Sequence, residues 1–79
     1  MVSFSGYMRI HVVFESADQI ADFLQYCKSQ DISIDDFQQI SSEKGVSALF
    51  KIRLKKKLPH AEVVEQFRVR EGILSVEEY

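Results

Sequence analysis

The residues able to support chemistry in this 79-residue chain are few and widely spaced. Cys27 is the single cysteine, so the chain makes no internal disulfide and holds no cysteine-bound metal cluster. His11 and His60 have no nucleophile or carboxylate at the spacing of a catalytic motif. We therefore expect Cys27 to be a small buried hydrophobic residue and both histidines to be ordinary surface residues.

The acidic and glycine residues do not predict a metal or phosphate site. Asp35 and Asp36 are adjacent, but such a pair is more typical of a turn, and a magnesium site needs several converging oxygens. No glycine-rich loop that would cradle a phosphate precedes either predicted helix. We expect no catalytic residue, no metal ligand and no cofactor, and interpret the chain as a protein that is not an enzyme.

Length and composition favour one small globular domain. With 79 residues the chain is near the smallest size at which a hydrophobic core is stable without disulfides or a bound metal. Its 46% hydrophobic content is that of a folded protein. The net charge of −2 argues against a nucleic-acid partner. No apolar run reaches the roughly 18 residues that cross a bilayer, and the single cysteine fits a reducing compartment.

Two strands are predicted from the alternation of apolar and polar residues. The longer runs from Val46 to Leu54, and its length places it at the centre of the sheet. The other runs from Tyr7 to Phe14. The residues expected to face the core are Met8, Ile10, Val12, Phe14, Val46, Ala48, Phe50, Ile52 and Leu54.

The first helix and the segment after it are less regular. Ser16 and Gln19 form a capping-box pattern, and the helix runs to about Lys28. Its apolar stripe is Ile20, Phe23, Leu24 and Cys27. Between Ile32 and Ser41 the alternation breaks, which predicts an edge strand around Phe37 to Ser41, with a bulge. The turn from Ser42 to Gly45 uses Gly45 for a positive φ.

The second helix begins at Pro59, which suits a first helical turn, and runs to about Arg70. Gly72 is expected to close it. Its predicted buried side is Ala61, Val64 and Phe67, with Val63 beside them. The last strand runs from Ile73 to Tyr79, and the residues expected to face inward are Leu74 and Val76.

The order strand, helix, strand, strand, helix, strand predicts an α+β, ferredoxin-like or ACT-like βαββαβ fold. We assign residues 1–6 to a flexible leader and residues 7–79 to one domain. Both helices cover one face of a four-stranded antiparallel sheet. The other face would carry Tyr7, Arg9, His11, Leu49, Lys51 and Arg53. This face is either plain solvated surface or a docking surface for an acidic partner or another subunit, such as a weak homodimer.

RNA binding is disfavoured on the same sheet. An RNA-recognition module carries stacking aromatic residues on its third strand. Lys44 and Gly45 mimic the opening of that motif, but the positions that should be aromatic are Val46, Ala48 and Lys51. The stacking platform is therefore missing, and we expect no nucleic-acid partner.

The chain resembles two related families in its element order and apolar pattern. Taken broadly it looks like an ACT-like regulatory domain, although the loop from Phe14 to Asp18 lacks the glycine that small-molecule-binding ACT domains usually carry. More narrowly it resembles the C-terminal cytoplasmic domain of the MgtC/SapB family of bacterial membrane proteins. The stretches that carry this resemblance are Ala48 to Leu54, Leu58 to Phe67 and Glu71 to Glu78.

The resemblance implies a regulatory or assembly domain of a protein tied to magnesium homeostasis. It implies a cytoplasmic location at the inner membrane, with the transmembrane part of the same full-length chain as a partner. It does not imply that this domain itself binds or moves magnesium. The alternative is a free-standing ACT-type sensor of a small metabolite.

Overall fold

A computed structural model of the protein describes residues 6–43 and 45–79. Its elements in chain order are β1 (Tyr7–Phe14), α1 (Asp18–Ser29), β2 (Ile32–Ser42), β3 (Gly45–Leu54), α2 (His60–Arg68) and β4 (Ile73–Glu78). The strands form one antiparallel sheet in the order β2-β3-β1-β4. This arrangement confirms the predicted ferredoxin-like α+β fold and the central position of the Val46–Leu54 stretch.

One hydrophobic core lies between the helices and one face of the sheet. Alternate residues of β1 and β3 enter it, as the sequence pattern predicted, because successive side chains of a strand point to opposite faces. The fully or almost fully buried members from these two strands are Met8, Ile10, Val12, Phe14, Ala48, Phe50, Ile52 and Leu54. Val46, at the start of β3, is only half-buried.

Aromatic rings form the centre of this core. Phe50 is completely buried, and its ring centroid lies 5.1 Å from that of Phe23 on α1. Phe23 in turn makes edge-on contacts with Phe14 at 5.7 Å and with Phe67 of α2 at 4.9 Å. Such tilted and edge-on pairs add attraction beyond the burial of their area. The rings therefore join both helices to the two central strands.

Helix α1 begins with half of the predicted capping box. The Ser16 backbone N–H donates to the Gln19 side-chain oxygen at 2.9 Å, whereas the Gln19 N–H donates to the Ser16 backbone carbonyl at 3.3 Å. The predicted apolar stripe is confirmed, with three residues buried and Leu24 half-buried. Gly72 has a φ of +84°, which favours glycine, and a β-carbon there would displace the Gln19 side chain.

Helix α2 differs from the prediction in its end and its buried side. Pro59 is the residue before the helix, and the helix ends at Arg68, two residues earlier than expected. Ala61 was predicted to be buried and is exposed; the position before it, His60, is buried instead. The helix is rotated this way because Val63, Val64 and Phe67 face the core, which places Ala61 on the solvent side.

The prediction that Leu74 faces inward is also wrong. The register of β4 against β1 shifts between Val13 and Phe14, so that Ser75 pairs with Val13 and Ile73 pairs with Phe14. The extra residue of this bulge is Leu74, whose side chain is 62% exposed. Val76 is buried as predicted.

Strand β2 is an edge strand with a bulge, as predicted, but it is longer than the predicted Phe37–Ser41 segment. It starts at Ile32, and its register against β3 shifts between Ile34 and Asp36. This bulge explains why the apolar alternation of the sequence breaks there. It allows Ile34 before the bulge and Phe37 after it to pair with the inward-facing residues of β3.

The hairpin joining β2 and β3 turns through Gly45, whose φ of +139° confirms the predicted positive value. Lys44 of this turn lies outside the described residues. The predicted leader likewise lies outside them except for Gly6, whose carbonyl accepts the Leu54 N–H at 2.7 Å. Among the described residues, no helix is long and apolar enough to cross a membrane.

Candidate functional site

The sheet face opposite the helices is the candidate functional site, and we call it the uncovered face. The strand register shows that the six residues predicted for this face do lie on it. Tyr7 pairs with Arg53, and His11 pairs with Leu49. Arg9 pairs with Lys51, so two cations stand directly opposite one another at the centre of the sheet.

The pair formed by Arg9 and Lys51 has an unusual charge environment. Like charges opposed across two strands repel by roughly 0.2–1 kcal/mol. Within the described residues neither side chain forms an ion pair, although Asp36 is the backbone partner of Lys51 on β2. Arg53, by contrast, lies 3.1 Å from the Asp35 carboxylate. The uncompensated positive charge of the face is therefore concentrated at one pair.

The Arg9 side chain lies beside Tyr79, the residue that follows β4. Its guanidinium carbon lies 5.4 Å from the centre of the Tyr79 ring, and the Tyr79 backbone N–H donates to the Arg9 carbonyl at 3.0 Å. A cation over a ring face is attracted by the ring quadrupole without being neutralised. Tyr79 therefore lies beside the Arg9 guanidinium without neutralising its charge.

Neighbouring residues of the uncovered face add apolar and acidic groups. Tyr7 is 64% exposed, and Ile40 of β2, the backbone partner of Ser47, is 40% exposed. Leu49 is half-buried between His11 and Gln38. Glu77 of β4 pairs with His11 and places an acidic group on the same face. Basic, aromatic and apolar groups thus alternate over the face, as they do in protein interfaces.

His60 does not behave as the sequence predicted. It is 5% exposed, and its Nδ1 lies 2.6 Å from the Glu78 Oε2 of β4. The sequence signal was weak, because 18 positions separate the two residues and only the fold brings them together. Glu78 faces the helices since its backbone partner is the inward-facing Ile10. His11, in contrast, is half-buried on the uncovered face.

A cleft of about 490 Å³ extends from the Arg9–Lys51 pair to the His60–Glu78 pair. Its walls combine the basic pair and two of the three tyrosines with the histidine–carboxylate pair: Tyr7, Arg9, Lys51, His60, Glu78 and Tyr79. Asp35 also lines it, so the cleft carries both signs of charge. Such a mixed lining can contact a polar segment of a partner or the polar groups of a small ligand.

The remaining sequence candidates do not join this site. Cys27 is completely buried, as expected, and burial raises the pKa of its thiol to about 12, an effect that Arg70 partly opposes. Asp35 and Asp36 lie at the bulge of β2 rather than in a turn. No group of three or more histidine, cysteine, aspartate or glutamate side chains in the described part of the chain is placed to hold a metal ion.

Comparison with known proteins identifies no relative of this chain. No model of a protein family matches it, and no curated protein or solved structure does. The geometry of the uncovered face and the cleft therefore carries the functional argument.

Proposed function

We propose that this protein is a non-catalytic interaction domain that docks an acidic partner on the uncovered face of its sheet. The observation that carries this proposal is the opposition of Arg9 and Lys51 without an ion pair among the described residues. A carboxylate from a partner would relieve their mutual repulsion and gain charge-assisted hydrogen bonds. The apolar Tyr7 and Leu49 beside them would supply area to bury.

The wider context of the proposal is the family resemblance. We infer a regulatory or assembly domain of the kind found at the C-terminal cytoplasmic end of MgtC/SapB membrane proteins, connected with magnesium homeostasis. In that setting the partner is the membrane part of the same polypeptide, and tethering would raise its local concentration at the uncovered face. A weak intrinsic affinity is then enough, which agrees with the small number of charges in the pair.

A free-standing metabolite sensor is the second candidate. The cleft beside Arg9 and His60 supports it, because the walls offer cations, carboxylates and phenol rings to one small polar molecule. The loop between β1 and α1 offers less: the Glu15 N–H donates to the Gly72 carbonyl at 2.8 Å, and Ser16 is bound to Gln19. Those two loop donors are thus already used within the chain.

Cell fractionation separates the two candidates. An antibody against this domain should detect a polypeptide much larger than 9.2 kDa in the membrane pellet of the source cells. A polypeptide close to 9.2 kDa in the supernatant would instead support the sensor. Reading the coding sequence upstream of Tyr7 gives the same decision, because four or five apolar spans are expected there for the membrane protein.

Titration with an acidic peptide tests the docking face itself. A hexaglutamate peptide at low ionic strength should shift the backbone amide signals of β1 and β3 near Arg9 and Lys51, and added salt should reverse the shifts. The double variant Arg9→Glu/Lys51→Glu should abolish them. Its matched control is Lys56→Glu/Lys57→Glu, which makes the same change in net charge beyond the end of β3 and should retain them.

A further inference from the structure

The two edges of the sheet are protected very differently. At one edge β4 is short, and its Val76 carbonyl accepts from the Arg68 Nη2 at 3.0 Å and from the Arg68 Nε at 3.3 Å. A side chain therefore already occupies a backbone acceptor of that edge. Short edge strands and covering side chains are standard means of preventing unwanted strand pairing.

In the described part of the chain, the edge formed by β2 is longer and its second half carries fewer of these protective features. The strand has 11 residues, and the bulge with Asp35 and Asp36 interrupts only its first part. The second part, Phe37 to Ser42, contains no charged residue, proline or glycine. Phe37 is 39% exposed and Ile40 is 40% exposed, so each face of this half-strand offers an apolar group to a new neighbour.

We propose that the second half of β2 pairs with the same segment of a second copy of this chain, antiparallel and about a two-fold axis at Ile40. This inference goes beyond the docking proposal and does not depend on it, because it uses the backbone edge of β2 rather than the Arg9–Lys51 pair.

The sequence of the half-strand favours a second copy as the occupant. In this register Ile40 lies opposite Ile40, Gln39 opposite Ser41, and Gln38 opposite Ser42. No like charges are opposed, since Asp36 lies beyond the paired segment and Glu43 meets Phe37. Opposed residues also fall on the same face of the sheet, as antiparallel pairing requires. The result is a continuous sheet of eight strands.

The test is analytical ultracentrifugation of the purified protein from micromolar concentration to about 1 mM. The weight-average mass of the wild type should rise from 9.2 kDa towards twice that value. Ile40→Lys should remain monomeric because it opposes two ammonium groups at the axis. Val69→Lys is the matched control, since Val69 is a 77% exposed apolar residue following α2, and it should behave as the wild type.

Disulfide trapping tests the register of the two paired strands. It also replaces the Ile40→Lys experiment if that variant does not fold. Directly opposed residues of antiparallel strands have a Cα separation within the range of a disulfide. Ile40→Cys should therefore yield a cross-linked dimer on oxidation, whereas Gln39→Cys, which faces Ser41 in this register, should yield little. The buried Cys27 should not compete. A wild type that stays monomeric at 1 mM, or equal trapping at both positions, would overturn the proposal.

Failure of the dimer proposal can be distinguished from failure of the docking proposal by measuring dimerisation and peptide binding separately. The variant Arg9→Glu/Lys51→Glu leaves β2 unchanged and should dimerise like the wild type while losing the acidic peptide. Ile40→Lys should lose dimerisation, and only dimerisation is read from this variant because Ile40 also lies on the uncovered face. Either proposal can therefore fail without the other.

Discussion

His60 Nδ1 lies 2.6 Å from Glu78 Oε2, and this contact joins the first turn of α2 to the last residue of β4. The last residue of α2 also contacts β4, since Arg68 donates to the Val76 carbonyl. Strand β4 therefore has polar contacts with both ends of α2 in addition to its pairing with β1. The contact between His60 and Glu78 also fixes the position of Tyr79, because Tyr79 follows Glu78 directly. Tyr79 lies beside Arg9, and both residues line the cleft.

Removing the carboxylate should destabilise the fold. Glu78→Ala deprives a 5% exposed imidazole of its partner at Nδ1, and such a loss costs about 1–3 kcal/mol. The neighbouring Glu77→Ala is the matched control, since Glu77 lies on the solvent side of the same strand and its loss should cost less than about 0.5 kcal/mol. Urea unfolding of both variants measures the difference. Equal losses would show that the His60–Glu78 contact does not stabilise the protein.

The central ring of the core should be the most costly residue to truncate. Phe50→Ala is expected to lower the free energy of unfolding by about 3–5 kcal/mol, because Phe50 is fully buried among other rings. Phe37→Ala is the comparison, since Phe37 stacks on Phe50 at 5.3 Å but is 39% exposed, and it should cost markedly less. Chemical denaturation provides both values. A loss under about 1 kcal/mol for Phe50→Ala would contradict its central role.

The alternation of β1 and β3 was enough to predict these two strands and their inward-facing residues, because a period of two repeated over eight or more residues has few other structural solutions. The errors arose where tertiary structure overrode local pattern. Leu74 is turned outward by a bulge that only the pairing with Phe14 creates. His60 is buried since a carboxylate from a distant strand is available to it, which no local spacing reveals.

The candidate site was predictable in its location but not in its electrostatics. The residues of the uncovered face follow from the alternation, whereas the partner of each charge depends on register and on the two bulges. The bulge of β2 brings Asp35 to Arg53, and the end of β4 brings Tyr79 to Arg9. Lys51 obtains no ion pair within the described residues although Asp36 is its backbone partner. The partners of these charges are therefore set by the tertiary structure and not by local sequence pattern.

Cys27 should be unreactive in the folded protein. Burial raises the pKa of its thiol from the ordinary 9.0 to about 12, so almost no thiolate exists at neutral pH. The folded state then holds the proton more tightly than the unfolded state, and this contribution to stability is complete below pH 9 and is lost as the pH rises towards 12. Thiol labelling at pH 8 should require unfolding. Comparison with Cys27→Ala isolates the slope above pH 9 from other titrating groups, and parallel slopes would refute the assignment.

Magnesium should not bind this domain specifically. The Asp35 carboxylate is already paired with Arg53, and hard cations need several converging oxygens. Titration of the isolated chain with Mg²⁺ should give small, scattered shifts of backbone amide signals. A localised response that saturates below about 1 mM would identify a genuine weak site and contradict this prediction.

The measurement that tests the central claim most directly is photo-crosslinking from the uncovered face in living cells. A photoreactive amino acid in place of Leu49, which lies on β3 between His11 of β1 and Gln38 of β2, should give one discrete adduct, either with a separate acidic partner or as an internal cross-link to the membrane part of the same polypeptide. The same probe in place of Gln25, exposed on α1, should give none. The adduct should disappear in the Arg9→Glu/Lys51→Glu background and persist in Lys56→Glu/Lys57→Glu. No adduct from Leu49, or an adduct that survives reversal of the Arg9 and Lys51 charges, would contradict the claim that this face docks an acidic partner.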